Sequence, residues 1–279
     1  MELNHPDIIK LIDLAIDEDI KNGDITTNSI IVDDVKRRVV FLVKQNGIIA
    51  GLDIARLVIE KFDPQLKWES LKKDGDFCNK GEIAAKVEAD YKSLLSAERT
   101  ALNFLQRMSG IATKTNLFVK QLEGLHTKIL DTRKTVPGHR MLDKYAVKTG
   151  GGENHRSGLF DMVMIKDNHI KLAGSITKAV SSVRKNLKGS FKIEVEASSL
   201  KEVEEALKAG VDIIMFDNMK PEAMKECIKI CKGKVVTEAS GNISLKNIRE
   251  AAETGVDYIS VGELTHSVEA LDISMKIID

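Results

Sequence analysis

The chain has 279 residues, of which 43% are hydrophobic and 30% are charged, a composition that predicts a soluble globular protein. Its 42 basic and 42 acidic residues cancel, which excludes an overall positive charge that would attract nucleic acid or an anionic membrane. The three cysteines form no CxxC pair, which argues against a disulfide framework or a zinc site. The charged opening residues contain no signal peptide and no apolar run reaches membrane-spanning length, so we expect a cytoplasmic protein that binds neither nucleic acid nor membrane.

The first part of the chain mixes helical and strand-like patterns. In chain order, apolar spacing and turn residues predict a helix over residues 7–20, a hairpin of residues 39–43 and 47–50 around Asn46-Gly47, a helix over residues 52–62, a strand over residues 82–89, and a long helix over residues 93–122 that breaks near Ser109-Gly110. This mixture is typical of an α+β domain.

Short apolar runs alternate with helical segments after about residue 125. The runs cover residues 128–130, 162–165, 191–195, 211–216, 234–237 and 258–261. Repeated βα units close into a parallel barrel or form a doubly wound sheet. Because neither GxGxxG after a strand nor GxxxxGK[ST] is present, the pattern favours the barrel.

The third run places charged residues on one face of a strand. Ile193 and Val195 point to one side, and Lys192, Glu194 and Glu196 point to the other, which should face the barrel interior. Two interior carboxylates need cations or a metal, and Lys134 and Lys166 follow strands where they could supply this pairing. For Glu194, a purely structural ion network is an open alternative.

Strand ends should carry the chemistry of a barrel. Glu196 and Asp217 end successive strands and could hold Mg²⁺ together with phosphate oxygens, although Asp217 could also cap a helix. Backbone N–H groups near Ser240, Gly241 and Gly262 are candidates for binding phosphate.

Cationic side chains form a second set of candidate site residues, beside the carboxylates. They include Arg133 and Lys134 after the first strand, His155 and Arg156 after three glycines, and Arg99 and Arg107 on the long helix. Arginine binds carboxylates through two parallel hydrogen bonds, so a dicarboxylate would use several. We expect Gly150–Gly152 to form a flexible lid or to approach a ligand closely. The residues alone therefore predict a barrel enzyme acting on an anionic, phosphate-bearing substrate and on a second substrate that carries carboxylates.

Three strings resemble signatures of the quinolinate phosphoribosyltransferase family. Residues 131–140 read DTRKTVPGHR, which resembles the long and specific signature DTRKTxPGxR. Residues 150–156 read GGGENHR and residues 164–169 read MIKDNH, which resemble the family's GGGxxHR and hIKDNH. Shorter matches continue in order, so the resemblance covers essentially the whole chain.

The resemblance implies an α/β protein of the type II phosphoribosyltransferase kind with two domains. An N-terminal α/β sandwich, residues 1–110 with the C-terminal tail 269–279, would lie beside an incomplete parallel α/β barrel of residues 111–268. It implies a homodimer with shared active sites, in which the sandwich of one subunit covers the barrel of the other; further assembly is left open. The implied reaction joins quinolinate to phosphoribosyl pyrophosphate with Mg²⁺ and loss of CO₂, and yields nicotinate mononucleotide for NAD biosynthesis.

The resemblance also implies residue roles. Around quinolinate it places Arg133, His155, Arg156 and Lys166, with Arg99 reaching from the partner subunit. Towards the sugar pyrophosphate it places Lys134, and at the ribose and Mg²⁺ it places Glu196 and Asp217. Around the 5′-phosphate it places Ser240, Gly241 and Gly262, with His266 nearby. Further expected substrate-binding residues are Thr132, Asn242, Ser260 and Val261. The expected catalytic residues are Lys134, Lys166, Glu196 and Asp217.

Four alternatives are weighed against this assignment. A family paralogue associated with molybdate transport is disfavoured by the complete cation set. Nicotinate phosphoribosyltransferase would not need so many carboxylate-binding cations. A non-catalytic barrel protein would bind phosphate or dicarboxylate without turnover. A Schiff-base aldolase that used Lys166 would be trapped by borohydride.

Overall fold

The computed structural model describes residues 5–33, 35–231 and 233–278. Residues 1–4, part of the charged opening segment that argued against a signal peptide, lie outside this description. The chain divides into two compact units. The first contains Met1–Asn116, Thr135–Gly151 and Ser267–Asp279, and the second contains Leu117–Lys134 and Gly152–His266.

The first unit is built around an antiparallel sheet. Its helices are α1 (Pro6–Ile20), α2 (Ile25–Ile30), α3 (Leu52–Glu60) and α5 (Arg140–Thr149), and α4 (Tyr91–Gln121) begins in it. Its strands are β1 (Lys36–Val43), β2 (Gly47–Ile48), β3 (Lys67–Ser70), β4 (Phe77–Cys78), β5 (Ile83–Asp90) and β12 (Ile273–Ile278). The four-stranded sheet has the order β12-β1-β5-β3, and β2 pairs separately with β4.

The predicted hairpin around Asn46-Gly47 is wrong. Although β1 and β2 are adjacent in the chain, β1 pairs with β5 and β12, and β2 pairs with β4. The helix α4 determines this arrangement, because the Ile48 N–H donates to Thr113 Oγ1 at 2.8 Å. A Cβ atom on Gly47 would lie 2.6 Å from the same oxygen, so only glycine allows this close packing.

The predicted break in the long helix is also wrong, because α4 runs without interruption through Ser109 and Gly110. Gly110 serves tertiary packing instead of ending the helix. A Cβ atom at this position would lie 2.1 Å from the backbone oxygen of Glu269, which belongs to the segment leading to β12. The helix therefore keeps a poor helix former because the backbone of another segment contacts it.

Helix α5 belongs to the first unit, whereas the sequence assigned its residues to the barrel domain. Arg107 on α4 binds the fully buried Asp143 of α5 through Nη2 at 2.8 Å and Nε at 3.0 Å. Tyr145 of α5 donates to Asp74 at 2.8 Å. Arg107 is thus part of an ion pair within this unit, and the predicted domain boundary near residue 110 stays a prediction.

The second unit contains a six-stranded parallel sheet. Its strands are β6 (Lys128–Leu130), β7 (Val163–Ile165), β8 (Ile193–Ala197), β9 (Ile213–Asp217), β10 (Val236–Ser240) and β11 (Tyr258–Ser260). Their order is β6-β11-β10-β9-β8-β7. From β7 to β11 each strand lies beside the next one in sequence, and the first strand, β6, lies beside the last. A doubly wound sheet would reverse this order, so the topology is that of a barrel left open between β6 and β7.

Helices follow the barrel strands. They are α6 (Asp167–Ala173), α7 (Ile176–Asn186), α8 (Leu200–Ala209), α9 (Pro221–Cys231), α10 (Ile248–Ala252) and α11 (Glu263–His266). Ser199 caps α8 by accepting the Glu202 N–H, Pro221 begins α9, and Asn247 precedes α10. Within the described ranges, none of the helices combines the length and apolar character needed to cross a membrane.

The packing of Gly110 gives a stability prediction. We expect Gly110→Ala to lower the free energy of unfolding by about 1–3 kcal/mol, because the added methyl group overlaps a backbone oxygen. Helix propensity alone would predict a gain of about 1 kcal/mol. Asn103→Ala, at an exposed position of α4, is the control and should be neutral or stabilising. Chemical denaturation measures both changes, and equal stability of the two variants would contradict the packing role of Gly110.

Candidate active site

The carboxyl ends of the barrel strands bring most of the predicted residues of the second unit together. The first anchor is Asp131, a fully buried carboxylate directly after β6. It accepts hydrogen bonds from the His155 backbone N–H at 2.9 Å and from Asn154 Nδ2 at 2.6 Å. The Glu153 N–H also donates to the Ile129 oxygen at 2.7 Å. These bonds fix the segment before β7 against β6, on the side where the barrel is open.

The His155 ring enters the barrel interior between two buried glutamates. Its Nε2 atom lies 3.1 Å from Glu194 Oε2 and 3.4 Å from Glu238 Oε2. The Ser260 hydroxyl donates to the other oxygen of Glu238. Because Glu194 is on β8, Glu238 on β10 and Ser260 on β11, this cluster joins three strands through side chains. The sequence predicted a lysine, Lys134 or Lys166, as the partner of the interior carboxylates. In the structure Glu194 is paired with His155 instead.

The pKa values of His155 and Glu194 in this cluster are both raised. Burial by itself lowers the pKa of His155, but the contacts with Glu194 and Glu238 outweigh it and raise the pKa to about 10. Burial also raises the pKa of Glu194. The Arg156 backbone nitrogen lies 2.7 Å from His155 Nδ1, so the ring also contacts the backbone of the next residue.

Arg156 and Arg133 carry like charges that affect each other. Burial lowers the pKa of the Arg156 guanidinium, and the positive charge of Arg133 lowers it further. Arg156 is held in place by a 3.1 Å hydrogen bond from Nη1 to the Met162 oxygen. The two guanidinium groups repel each other, and the carboxylates of Glu194, Asp161 and Glu196 offset part of this repulsion at Arg156. A ligand with carboxylates would offset it further.

Lys166 and Glu196 form the ion pair that the sequence predicts for the strand ends. Lys166 Nζ contacts Glu196 Oε1 directly. The Glu196 side chain is 15% exposed and the Lys166 side chain is 45% exposed, so the pair lies where the barrel meets solvent. In contrast to Glu194, Glu196 is therefore accessible to a ligand.

Lys134 extends from the end of β6 over the loop after β11. The Thr265 hydroxyl donates to the Lys134 backbone oxygen at 2.9 Å, and Thr132 Oγ1 accepts the Lys134 N–H at 3.1 Å. A Cβ atom on Gly262 would lie 3.0 Å from Lys134 Cδ and 3.1 Å from His266 Cδ2. Lys134, Gly262 and His266 are thus neighbours, as the implied phosphate site requires.

Ser260 and Val261, which are predicted to bind substrate, make contacts within the fold. The Ser260 hydroxyl donates to Glu238, and the Val261 N–H donates to the Leu130 oxygen at 2.9 Å. Both residues are buried. These groups position β11 against β10 and β6, so Gly262 is the part of this loop that lies beside Lys134.

Asp217 ends β9 beside Ser240 at the end of β10. Its Oδ1 atom accepts a 3.0 Å hydrogen bond from the Asn218 amide. On the other side, β8 pairs Glu196 with Met215, so Asp217 lies two residues beyond that pair. Carboxylate oxygens at half-exposed strand ends are the ligand type that Mg²⁺ prefers, so Glu196 and Asp217 fit the implied metal by their chemistry.

Two predicted contributors belong to the first unit. Arg99 is exposed on α4. Gly150 packs against the same helix, since a Cβ atom there would lie 2.3 Å from the Ala112 oxygen. The expectation that Gly150–Gly152 forms a lid or approaches a ligand is therefore corrected at Gly150, where glycine is needed for contact with a helix.

Sequence reasoning did not assign a site role to Asp131, Glu238 or Asn218. Glu238 offered a signal, because it shares a face of β10 with Ser240 and that face points into the barrel. Asp131 and Asn218 each adjoin a predicted site residue at a strand end. Their partners lie far away in sequence, so their contacts could be found only in the structure.

Comparison with known proteins identifies the family of this arrangement. Residues 24–109 match the model of the quinolinate phosphoribosyl transferase N-terminal domain, and residues 111–276 match that of the C-terminal domain. A probable nicotinate-nucleotide pyrophosphorylase [carboxylating] of Bacillus subtilis is 44% identical over 275 residues, covering 99% of this chain and 95% of that protein.

Solved structures agree over the full length. NadC from Streptococcus pyogenes has a TM-score of 0.94 at 40% identity, covering 98% of this chain and 97% of that one. Nicotinate-nucleotide pyrophosphorylase from Ehrlichia chaffeensis has a TM-score of 0.93 at 43% identity, covering all of both chains (100% each). The chain belongs to the quinolinate phosphoribosyltransferase family.

Proposed function

We propose that the barrel mouth binds quinolinate through its cations and phosphoribosyl pyrophosphate through its carboxylates and loops, and that it joins the two. The chain is a phosphoribosyltransferase of NAD biosynthesis whose reaction releases pyrophosphate and CO₂ and yields nicotinate mononucleotide. The observation that carries this assignment is that the Arg156 guanidinium is near enough to Arg133 for that charge to lower its pKa, and near enough to Glu196, the partner of Lys166, for that carboxylate to raise it. Such a cluster suits a substrate with two carboxylates.

The quinolinate end of the site uses Arg133, Arg156 and Lys166. Arginine pairs with a carboxylate through two parallel hydrogen bonds, which fixes the plane of the pyridine ring. His155 acts from within the barrel, because its Nδ1 contacts the Arg156 backbone nitrogen and its Nε2 lies 3.1 Å from Glu194 Oε2. Its contribution is to hold the Arg156 backbone in place, and its buried position excludes water from that side of the ring.

The phosphoribosyl end uses Lys134 together with Ser240, Gly241, Asn242, Gly262 and His266. The contact between Lys134 and Gly262 supports this division, because it joins the loops after the first and last strands of the barrel. The Thr132 hydroxyl oxygen accepts the backbone N–H of Lys134 and so helps to hold Lys134 in place. Lys134 stabilises the negative charge that builds on the departing pyrophosphate.

Glu196 and Asp217 would hold the ribose hydroxyls and Mg²⁺. The metal would supply positive charge that stabilises the pyrophosphate leaving group. The carboxylates stabilise the positive charge that develops on the ribose C1 carbon when its bond to the pyrophosphate oxygen breaks. Lys166 keeps Glu196 oriented, since the two side chains form an ion pair.

The reaction then follows from orientation. The pyridine nitrogen attacks C1, and its lone pair forms the new N–C bond while pyrophosphate leaves with the electrons of the broken C–O bond. The ring nitrogen is now cationic and stabilises the electron pair left on the ring carbon when the adjacent carboxylate departs as CO₂. That carbon finally takes a proton from solvent. Arg133 and Arg156 contribute by holding the ring in line with C1.

The proposal also includes the oligomeric state of the protein and its location in the cell. The family resemblance supports a homodimer in which Arg99, exposed on α4, reaches the site of the partner subunit. The balanced charge and the chain's composition support a cytoplasmic location without nucleic-acid or membrane partners.

The substrate can be tested directly. Incubation with Mg²⁺, phosphoribosyl pyrophosphate and quinolinate should give a product with the mass of nicotinate mononucleotide. The same incubation with nicotinate should give none, because one carboxylate leaves part of the cation cluster unpaired. Product formed from nicotinate at an equal or higher rate would contradict the assignment and would favour nicotinate phosphoribosyltransferase.

The division of the site can be tested by ligand titration. Arg133→Ala and Arg156→Ala should each weaken quinolinate binding by about 10- to 100-fold, because charge-assisted hydrogen bonds worth about 1.5–3 kcal/mol are lost. The dissociation constant of phosphoribosyl pyrophosphate should change less. Lys201→Ala, an exposed cation on α8, is the control and should affect neither ligand. Equal losses for both ligands would refute the division.

Shared sites can be tested with mixed dimers. Arg99→Ala and Lys134→Ala homodimers should each be nearly inactive. After mixing and subunit exchange, about a quarter of wild-type activity should return, because about half of the dimers are mixed and each has one intact site. Native mass spectrometry monitors the exchange. If exchange is complete and no activity returns, Arg99 does not serve the partner subunit.

A further inference from the structure

Unusual backbone conformations mark the ends of β9 and β10. Among the residues that the structure describes, the non-glycine positions with positive φ are Lys21 at 45°, Asn218 at 52° and Asn242 at 53°. Lys21 follows α1 in the first unit, whereas Asn218 and Asn242 lie at neighbouring strand ends. Backbone strain in non-glycine residues is concentrated at functional sites.

The two asparagines are linked to each other and to Asp217. Asp217 can only accept, so the Asn218 amide turns its Nδ2 towards Oδ1 of Asp217, at 3.0 Å. The Asn218 Oδ1 atom then accepts from Asn242 Nδ2 at 3.0 Å. The Asn218 N–H donates to the Ser240 oxygen at 2.9 Å. The orientation of the carboxylate is therefore set by a chain of amides that begins on the next strand.

Gly241 makes room for this chain. A Cβ atom at Gly241 would lie 2.2 Å from Asn218 Oδ1, so the Asn218 amide would have to move to admit it. Gly241 itself has a φ of 98°, a conformation that glycine adopts readily. The Asn218 amide thus lies directly against the Gly241 backbone, in space that a side chain at residue 241 would occupy.

The hydrogen bond between Asn218 and Asn242 should contribute little to the stability of the fold. Asn218 and Asn242 are exposed, and hydrogen bonds between exposed side chains stabilise a fold little because water replaces them. Asparagine tolerates positive φ better than other side chains, but glycine would form the same turns without strain. The turn alone therefore does not explain the side chain of Asn218.

We propose that Asn218 is a positioning residue that holds the Asp217 carboxylate towards the ribose of phosphoribosyl pyrophosphate, and that Asn242 holds Asn218 in place. This inference rests on the proposed function, which places Asp217 at the ribose. Because the carboxylate stabilises charge that appears only in the transition state, a loss of its orientation should lower kcat more than it weakens substrate binding.

A glycine substitution can distinguish a positioning role of the Asn218 side chain from a role in folding, because glycine keeps the positive φ and removes only the side chain. Asn218→Gly removes the amide but keeps the turn, so its Tm should be equal to or higher than that of the unmodified chain. Its kcat should fall by about tenfold or more, while the KM for quinolinate and the Kd for phosphoribosyl pyrophosphate change little. Lys21→Gly is the matched control, because it relieves the same kind of strain in the first unit and should leave kcat unchanged.

A second substitution tests the hydrogen bond itself. Asn218→Asp keeps the size of the side chain and its tolerance of positive φ, but it cannot donate to Asp217 and adds a repelling charge. We expect kcat to fall at least as far as in Asn218→Gly. Unchanged kcat in both variants would overturn the proposal, and so would a loss of kcat that is accompanied by a lower Tm in Asn218→Gly but not in Lys21→Gly.

Asp217→Asn distinguishes this inference from the proposed function. If Asp217→Asn lowers kcat but Asn218→Gly does not, Asp217 acts without the help of Asn218, and only the positioning role is overturned. If Asp217→Asn leaves kcat unchanged, the role proposed for Asp217 fails and the positioning role fails with it. Loss of kcat in Asp217→Asn and in both Asn218 variants, with Tm maintained, supports the inference.

Discussion

The contact of His155 with Glu194 and Glu238 is the interaction on which the barrel depends. Two carboxylates cannot be buried side by side unless protons and hydrogen bonds compensate their charge. The imidazole supplies this compensation, and it also connects β8 and β10 to the segment that precedes β7. The buried Asp131 carboxylate also holds that segment, because it accepts the backbone N–H of His155. The backbone of Arg156, and with it the guanidinium that we propose binds quinolinate, is therefore placed by interactions deeper in the barrel.

Carboxylates and cations lie close together in the second unit. Glu194 is buried in the interior, Lys166 is paired with Glu196 at the strand ends, and Arg156 is near enough to Arg133, Glu194 and Glu196 for each to affect its pKa. The two carboxylates offset part of the repulsion between the guanidinium groups, since opposite charges nearby favour the charged form of each. The zero net charge of the chain said little about this site, because a sum of charges does not show where the charges lie.

Periodicity predicted the barrel well because each βα unit is a local pattern. Each of the six apolar runs contains or overlaps a strand, and the ends of β6, β8 and β9 carry residues that the sequence had marked. The errors concern residues whose role is set by distant partners. Gly47 resembled a hairpin glycine, Gly110 a helix break and Gly150 a ligand contact, yet each lies against a side chain or backbone of another segment. The pairing of His155 with Glu238 was hidden for the same reason.

The antiparallel sheet contains both early and late parts of the chain. Strand β1 forms its ladder with β12, so residues 36–43 receive one of their two neighbours only from residues 273–278. During synthesis on the ribosome, the first unit therefore exposes an unpaired, largely apolar strand edge while the whole barrel is being translated. The barrel contains its own complete set of strand pairings and can form earlier. The barrel can therefore complete its strand pairings before the first unit does, although the first unit is synthesised first, and chaperones have the longest opportunity to bind the exposed edge of that unit.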